Sequence, residues 1–81
     1  MTIKVNVTAY ATLKKYMPQI GIGEFLTLEV GEGAKLKDIY HILSIPEEEV
    51  KQTFINGLRA DDHAILKEGD RIAIFPPVAG G

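Results

Sequence analysis

The residues with the most specific chemistry stand at the end of the chain, Pro76-Pro77-Val78-Ala79-Gly80-Gly81. A proline fixes its own φ and donates no backbone hydrogen bond, so a sheet that reaches Phe75 must stop there. Consecutive prolines also favour an extended, polyproline exit. Beyond them the side chains shrink to a methyl at Ala79 and to nothing at Gly80 and Gly81. Fully extended, residues 76–81 would reach on the order of 20 Å past the fold. That is the shape of a probe for a narrow channel, with the Gly81 carboxylate as its reactive group. Frayed chain ends are common, and Gly-Gly alone says little. Its place directly behind a Pro-Pro stop on an apolar strand is what gives it meaning.

Few other chemistries are provided for. Cysteine is absent, which removes disulfides, thiol nucleophiles and thiolate metal cages. Only His41 and His63 are available as imidazoles. Asp61-Asp62-His63 sit side by side in one short loop, a spacing that rarely converges on a cation, so no metal site is expected. Nine basic against eleven acidic residues give a net charge of −2, with no dominant Lys/Arg cluster, and a nucleic-acid partner is not expected. No apolar run approaches the roughly 20 residues of a membrane span. The start, Met1-Thr2-Ile3-Lys4, lacks a basic segment followed by a long apolar one, so a cytoplasmic location is expected. The chain is poorly equipped to be an enzyme alone.

The elements that must position the tail can be read from periodicity. At 81 residues and 8.9 kDa the chain is one small domain, expected to bury roughly 63% of its unfolded surface. Ile3, Val5, Val7 and Ala9 alternate with Lys4, Asn6, Thr8 and Tyr10, the period of a half-buried strand. A short helix is expected from Thr12, as N-cap, to Met17, with Pro18 as its stop. A second strand runs from about Phe25 to Val30. Leu36, Ile39, Tyr40, Ile42 and Leu43 recur at helical spacing and predict the main helix, with these residues in the core. Lys35 is a poor N-cap, whereas Asp38 suits the first turn. Pro46 ends that helix and opens a turn through Glu47, Glu48 and Glu49. Gln52 to Ile55, the turn Asn56-Gly57 and Leu58 to Ala60 predict a hairpin. Arg71 to Phe75 forms the last strand, with Ile72 and Ile74 inward. One helix covering a mixed sheet of four to five strands is an α+β architecture, the β-grasp. It would comprise residues 1–75, with 76–81 as an extended tail.

On these residues the chain resembles the MoaD/ThiS family of ubiquitin-like sulfur carriers. The resemblance rests on Lys67-Glu68-Gly69-Asp70-Arg71-Ile72-Ala73-Ile74-Phe75 followed by the Pro-Pro-Val-Ala-Gly-Gly tail, on Ile55-Asn56-Gly57, and on Tyr10-Ala11-Thr12-Leu13-Lys14. Tyr10 and Lys14 stand where the family usually has Phe and Arg, and Arg59 where an apolar contact residue is often found. The family's MoaD branch, the small subunit of molybdopterin synthase, shares the Pro-Pro tail. The resemblance implies that Gly81 is adenylated by an ATP-using, E1-like enzyme of the MoeB/ThiF kind and then thiocarboxylated. It implies sulfur donation to cyclic pyranopterin monophosphate inside a MoaE-like large subunit, with no cofactor bound by this chain. Gly80 and Gly81 would carry the reactive end. Phe75, Pro76, Pro77, Val78 and Ala79, with Tyr10 and Lys14, would contact the partners. A carrier for the thiamine thiazole or tungsten-cofactor pathway, a protein modifier conjugated through Gly81, and a plain interaction module are the alternative readings.

Overall fold

The computed structural model describes residues 1–21 and 23–77. Strands β1 (Thr2–Ala9) and β2 (Leu26–Gly31) precede helix α1 (Leu36–Leu43). Strands β3 (Gln52–Ile55), β4 (Leu58–Ala60) and β5 (Arg71–Phe75) follow it. They form one sheet in the order β2-β1-β5-β3-β4, antiparallel throughout except for the central β1–β5 pair, which is parallel. This is the β-grasp.

The period-two pattern of β1 decides what each face of the sheet becomes. Val5, Val7 and Ala9 are at most 1% exposed and lie in register with Leu28 and Leu26 on one side and with Ile72 and Ile74 on the other. The apolar stripe of α1, Leu36, Ile39 and Tyr40, closes this face, joined by Leu13, Met17, Ile45 and Leu66. Ile42 does not belong to the core, contrary to the periodicity reading, and is 53% exposed. At 3.6 residues per turn it lies roughly 110° from the centre of the Leu36–Ile39–Tyr40–Leu43 stripe, outside the width a single sheet covers.

The start of α1 is held from outside the helix. The Lys35 N–H donates to the Asp38 carboxylate (2.9 Å). The orphan N–H groups of Leu36 and Lys37 donate to the carbonyls of Ala64 (2.9 Å) and Asp62 (3.0 Å). The Asp61–His63 loop therefore acts as a backbone cap, and its Asp61 carboxylate is occupied by the His63 N–H (2.8 Å). The short helix after β1 is a 3-10 turn over Ala11–Tyr16 whose N-cap is Tyr10, two residues earlier than Thr12. Ala11 adopts φ +53°, a left-handed conformation that reverses the chain immediately after β1.

The β3–β4 hairpin turns through Asn56 (φ +54°) and Gly57 (φ +84°), both in the left-handed region that a two-residue hairpin turn of this hand requires. Asn56 also pins the entry of β5. Its Nδ2 donates to Asp70 Oδ1 (2.9 Å), and its Oδ1 accepts from the Arg71 N–H (3.0 Å). The other Asp70 oxygen accepts from Lys67 N–H (2.8 Å), so a carboxylate only 8% exposed is satisfied on both sides.

Within the core one polar pair stands out. The hydroxyls of Tyr40 and Thr53, each 2% exposed, share a hydrogen bond of 2.5 Å. Burial pushes the Tyr40 hydroxyl above its ordinary value of 10.0; the Thr53 bond opposes this, while the charges of Asp62 and Glu47 reinforce it. Removing one partner strands the other, so Tyr40→Phe or Thr53→Val alone should cost about 1–3 kcal/mol, whereas the double variant should recover most of the loss. Urea unfolding of the four proteins measures this. A raised tyrosine value means that the unfolded chain loses its proton first. Stability from Tyr40 is thus complete below pH 10 and is lost as pH climbs through the higher folded value. The alkaline fall in stability should be shallower in Tyr40→Phe.

Candidate functional site

Among the described residues no second layer of secondary structure covers the sheet face opposite α1, and an aromatic cluster lies at its centre. Phe75 is the hub. Its ring stacks on Tyr10 (centroids 4.6 Å apart, planes at 10°) and meets Phe54 edge-to-face (5.6 Å, 85°). Both are geometries that the aromatic quadrupole favours. The Arg71 guanidinium lies over the Phe25 ring, 4.9 Å from its centroid. Register brings these residues together: Phe54 and Arg59 pair directly across β3 and β4, and Phe54 pairs with Ala73 on β5. Thr8, on the same face, is only 1% exposed, so this side is half-closed and not simply wet.

Two open hollows flank Phe75. One, of about 650 Å³, is lined by Phe25, Phe54, Asn56, Gly57, Arg71 and Phe75, among others. The second, of about 360 Å³, lies between Tyr10, Ala11 and Thr12 on one side and Lys51, Gln52, Phe75, Pro76 and Pro77 on the other. It is the place where the chain leaves the sheet. There the backbone is clamped from both sides: Tyr10 N–H donates to the Ile74 carbonyl (3.1 Å) and Lys51 N–H to the Phe75 carbonyl (2.8 Å). β5 ends at Phe75, as the two prolines require; Pro76 is half-buried and Pro77 exposed.

The expected partner-contact residues are thus placed as follows. Tyr10, Phe75, Pro76 and Pro77 share the exit hollow. Lys14 is half-buried, and its ammonium donates to the Ile20 carbonyl (3.2 Å), so one of its donors serves the fold. Val78, Ala79, Gly80 and Gly81 lie outside the described residues. Phe25, Phe54 and Arg71 were not singled out by sequence reasoning. Alternation does put each on the outer face, but their convergence on Phe75 depends on strand order. Behind the exit, Tyr16 donates to Glu49 Oε1 (3.0 Å) and Lys15 pairs with the same oxygen at 3.8 Å, tying the 3-10 turn to Glu47–Glu49. Desolvation, then the Glu49 bond and charge, raise the Tyr16 hydroxyl above its ordinary value. Among the described residues no group of three or more His, Asp or Glu side chains is arranged to hold a metal ion. No helix among them is long and apolar enough to cross a membrane.

The sheet order with one covering helix places the chain in the ubiquitin-like β-grasp class. The sequence profile of the ThiS family matches residues 15–81, and the chain belongs to that family. No curated protein matches it by sequence. Among solved structures it is similar to a Pyrococcus furiosus protein provisionally assigned as molybdopterin converting factor, subunit 1 (23% identity, TM-score 0.70, 94% of this chain and 99% of that one). It is equally similar to small archaeal modifier protein 1 of Methanosarcina acetivorans (23%, 0.71, 100% and 99%). A Caldiarchaeum subterraneum ubiquitin shares the fold at greater distance (17%, 0.62, all of both chains). At these identities the likeness is one of fold.

The stacked pair at the exit should couple energetically. In a double-mutant cycle of Tyr10→Ala and Phe75→Ala, the interaction term is expected at about 0.5–1.5 kcal/mol by urea unfolding. Ala11→Val should cost about 1–2 kcal/mol, because a β-branched residue resists φ +53°.

Proposed function

We propose that the chain is the small, sulfur-carrying subunit of molybdopterin synthase. The observation that supports this best is the coincidence of a family tail, Pro76-Pro77-Val78-Ala79-Gly80-Gly81, with an apolar docking face centred on Phe75 at its base. A carboxylate is a poor electrophile because its charge is shared by two oxygens. An E1-like enzyme of the MoeB/ThiF kind would therefore join the Gly81 carboxylate to the α-phosphate of ATP, releasing pyrophosphate. Sulfide, as HS−, then attacks the carbonyl carbon; a C–S bond forms, the C–O bond to AMP breaks, AMP leaves, and loss of the S–H proton gives the thiocarboxylate. Its sulfur is an anionic nucleophile near neutral pH.

Inserted into a MoaE-like large subunit, that sulfur would be transferred to cyclic pyranopterin monophosphate, and two such transfers make the dithiolene. The large subunit supplies the acid, the base and the substrate-positioning groups; this chain supplies an anchored, oriented sulfur. Glycines at 80 and 81 keep the tip free of any Cβ where the backbone must thread a channel. A second reading, a modifier whose activated Gly81 is captured by a lysine amine as an isopeptide, starts from the same adenylate. It gains interest from the fold shared with small archaeal modifier protein 1.

Gly81→Ala should lower the rate of adenylation, and deletion of Gly81 should abolish sulfur transfer in a reconstituted assay with the activating enzyme, a sulfur source and the large subunit. Wild-type transfer by the deletion variant would overturn the reading. Conjugates retained on host proteins after denaturation, with no transfer to the pterin, would favour the modifier.

A further inference from the structure

The exit from the sheet is a slot with two walls. One is Tyr10, Ala11 and Thr12, at the head of the 3-10 turn; the other is Lys51 and Gln52, just after the Glu47–Glu49 turn. Backbone bonds hold the chain between them only as far as the Ile74 and Phe75 carbonyls. Pro76 and Pro77 have no N–H to donate, and among the described residues no backbone N–H donates to their carbonyls. What aims them is the spacing of the walls. The two walls are not equally secure. The first is anchored in the core by Leu13 and Met17, both fully buried. The second follows a turn that buries no residue and has no side-chain cap. Its consecutive carboxylates, Glu47, Glu48 and Glu49, also repel one another. Among the described residues, the side-chain bonds that tie this turn to the first wall meet at one atom. Glu49 Oε1 accepts from the Tyr16 hydroxyl at 3.0 Å and lies 3.8 Å from the Lys15 ammonium, which also sits over the Tyr16 ring, 5.3 Å from its centroid. Tyr16 stands about 8 Å past Thr12 along the 3-10 turn, and Glu49 lies just ahead of Lys51, so one short lever on either side connects this bond to the slot.

We propose that Tyr16 and Glu49 are positioning residues for the reactions at Gly81: their bond sets the width of the exit slot, and so the line along which the Pro-Pro segment leaves the sheet. The inference rests on the carrier reading and adds to it how the fold aims the tail. A carboxylate that must meet the α-phosphate of ATP reacts from a narrow range of positions, and a misplacement of about 1 Å can cost about a hundredfold in rate. A stiff base magnifies the error. A tilt of about 10° at the slot would move the far end of a 20 Å extended segment by about 3.5 Å. Neither Tyr16 nor Glu49 lines the hollows around Phe75, so the bond should act on kcat and leave KM alone.

The test is steady-state adenylation of the full chain by its host's E1-like enzyme, with unfolding midpoints and the NMR shifts of the Pro76 and Pro77 side-chain protons measured on the chain alone. Tyr16→Phe, which removes the donor and keeps the ring, is expected to lower kcat about tenfold with KM within about twofold. Glu49→Ala should do the same, and the double variant should be no worse than either single change, since the two side chains act as one unit. Glu49→Gln keeps an oxygen for the Tyr16 hydroxyl and should retain most of the wild-type kcat. Lys15→Ala, which removes only an exposed ion pair, should behave as wild type. The Pro76 and Pro77 protons share the exit hollow with the stacked Tyr10 and Phe75 rings. They should shift in Tyr16→Phe and Glu49→Ala and stay in place in Glu49→Gln. Lowered midpoints with kcat and these shifts unmoved would mean a role in stability alone, overturning this inference and leaving the carrier reading standing. A rise in KM at constant kcat would make the pair a partner contact and overturn it too, as would equal losses in Glu49→Gln and Glu49→Ala. A wild-type chain that takes up no AMP would overturn the carrier reading and this inference with it.

Discussion

The parallel pairing of β1 with β5 is the constraint on which the rest of the molecule depends. Four residue pairs, Asn6 with Arg71 through Ala9 with Ile74, set it. This register sends Val7, Ala9, Ile72 and Ile74 under α1 and turns Thr8, Arg71 and Ala73 outward. A slip of one residue would exchange the two sets, placing Arg71 in the core and Ile72 in water. Because β3 flanks β5 on its other side, the last strand has no free edge. The chain therefore leaves from the centre of the sheet, between Tyr10 and Lys51, whose N–H groups hold the last two carbonyls of β5.

That placement divides the work between the two faces. Under α1 the packing is closed, and among the described residues its buried polar pair, Tyr40 and Thr53, is satisfied internally. Opposite α1, aromatic rings pack against one another and leave hollows at the exit. On the proposed reading, a carrier that visits an activating enzyme and then an acceptor would need a firm base to present its tail, and a surface that either partner can grip. The β1–β5–β3 ladder provides the base, and Phe75 belongs to both ladder and surface. The Asn56–Asp70 link serves the same end, since it fixes where β5 begins and hence where Phe75 ends.

Much of this was legible in the residues. Strict alternation in β1 and β5, the Asn56-Gly57 turn and the helical spacing of Leu36, Ile39 and Tyr40 are local signals, and their elements fell where the spacing put them. The Pro-Pro stop located the end of the sheet. What was missed depends on contacts between distant segments. Phe25 and Phe54 are 29 residues apart in sequence and join one cluster only because β2 and β3 both border the β1–β5 pair. Thr8 is an outward residue by alternation and becomes buried for the same reason. Ile42 is apolar by type but lies at the margin of the helix stripe, and a simple count of apolar positions does not weigh its angle. Thr12 lost the cap position because the chain turns at Ala11, which puts the cap at Tyr10, two residues sooner. Lys14 reads as a free cation in sequence; its bond to Ile20 requires the loop that follows to fold back.

The central claim is that Gly81 carries sulfur, and the intact mass of the protein purified from its native host tests it most directly. The account predicts a species about 16 Da heavier than the unmodified chain, one oxygen replaced by sulfur, with fragmentation placing the difference at Gly81. If the native protein is unmodified, incubation with ATP, the host's E1-like enzyme and a sulfur source should produce the same species. A Gly81 that takes up neither AMP nor sulfur under those conditions would contradict the account and leave the fold as an interaction module.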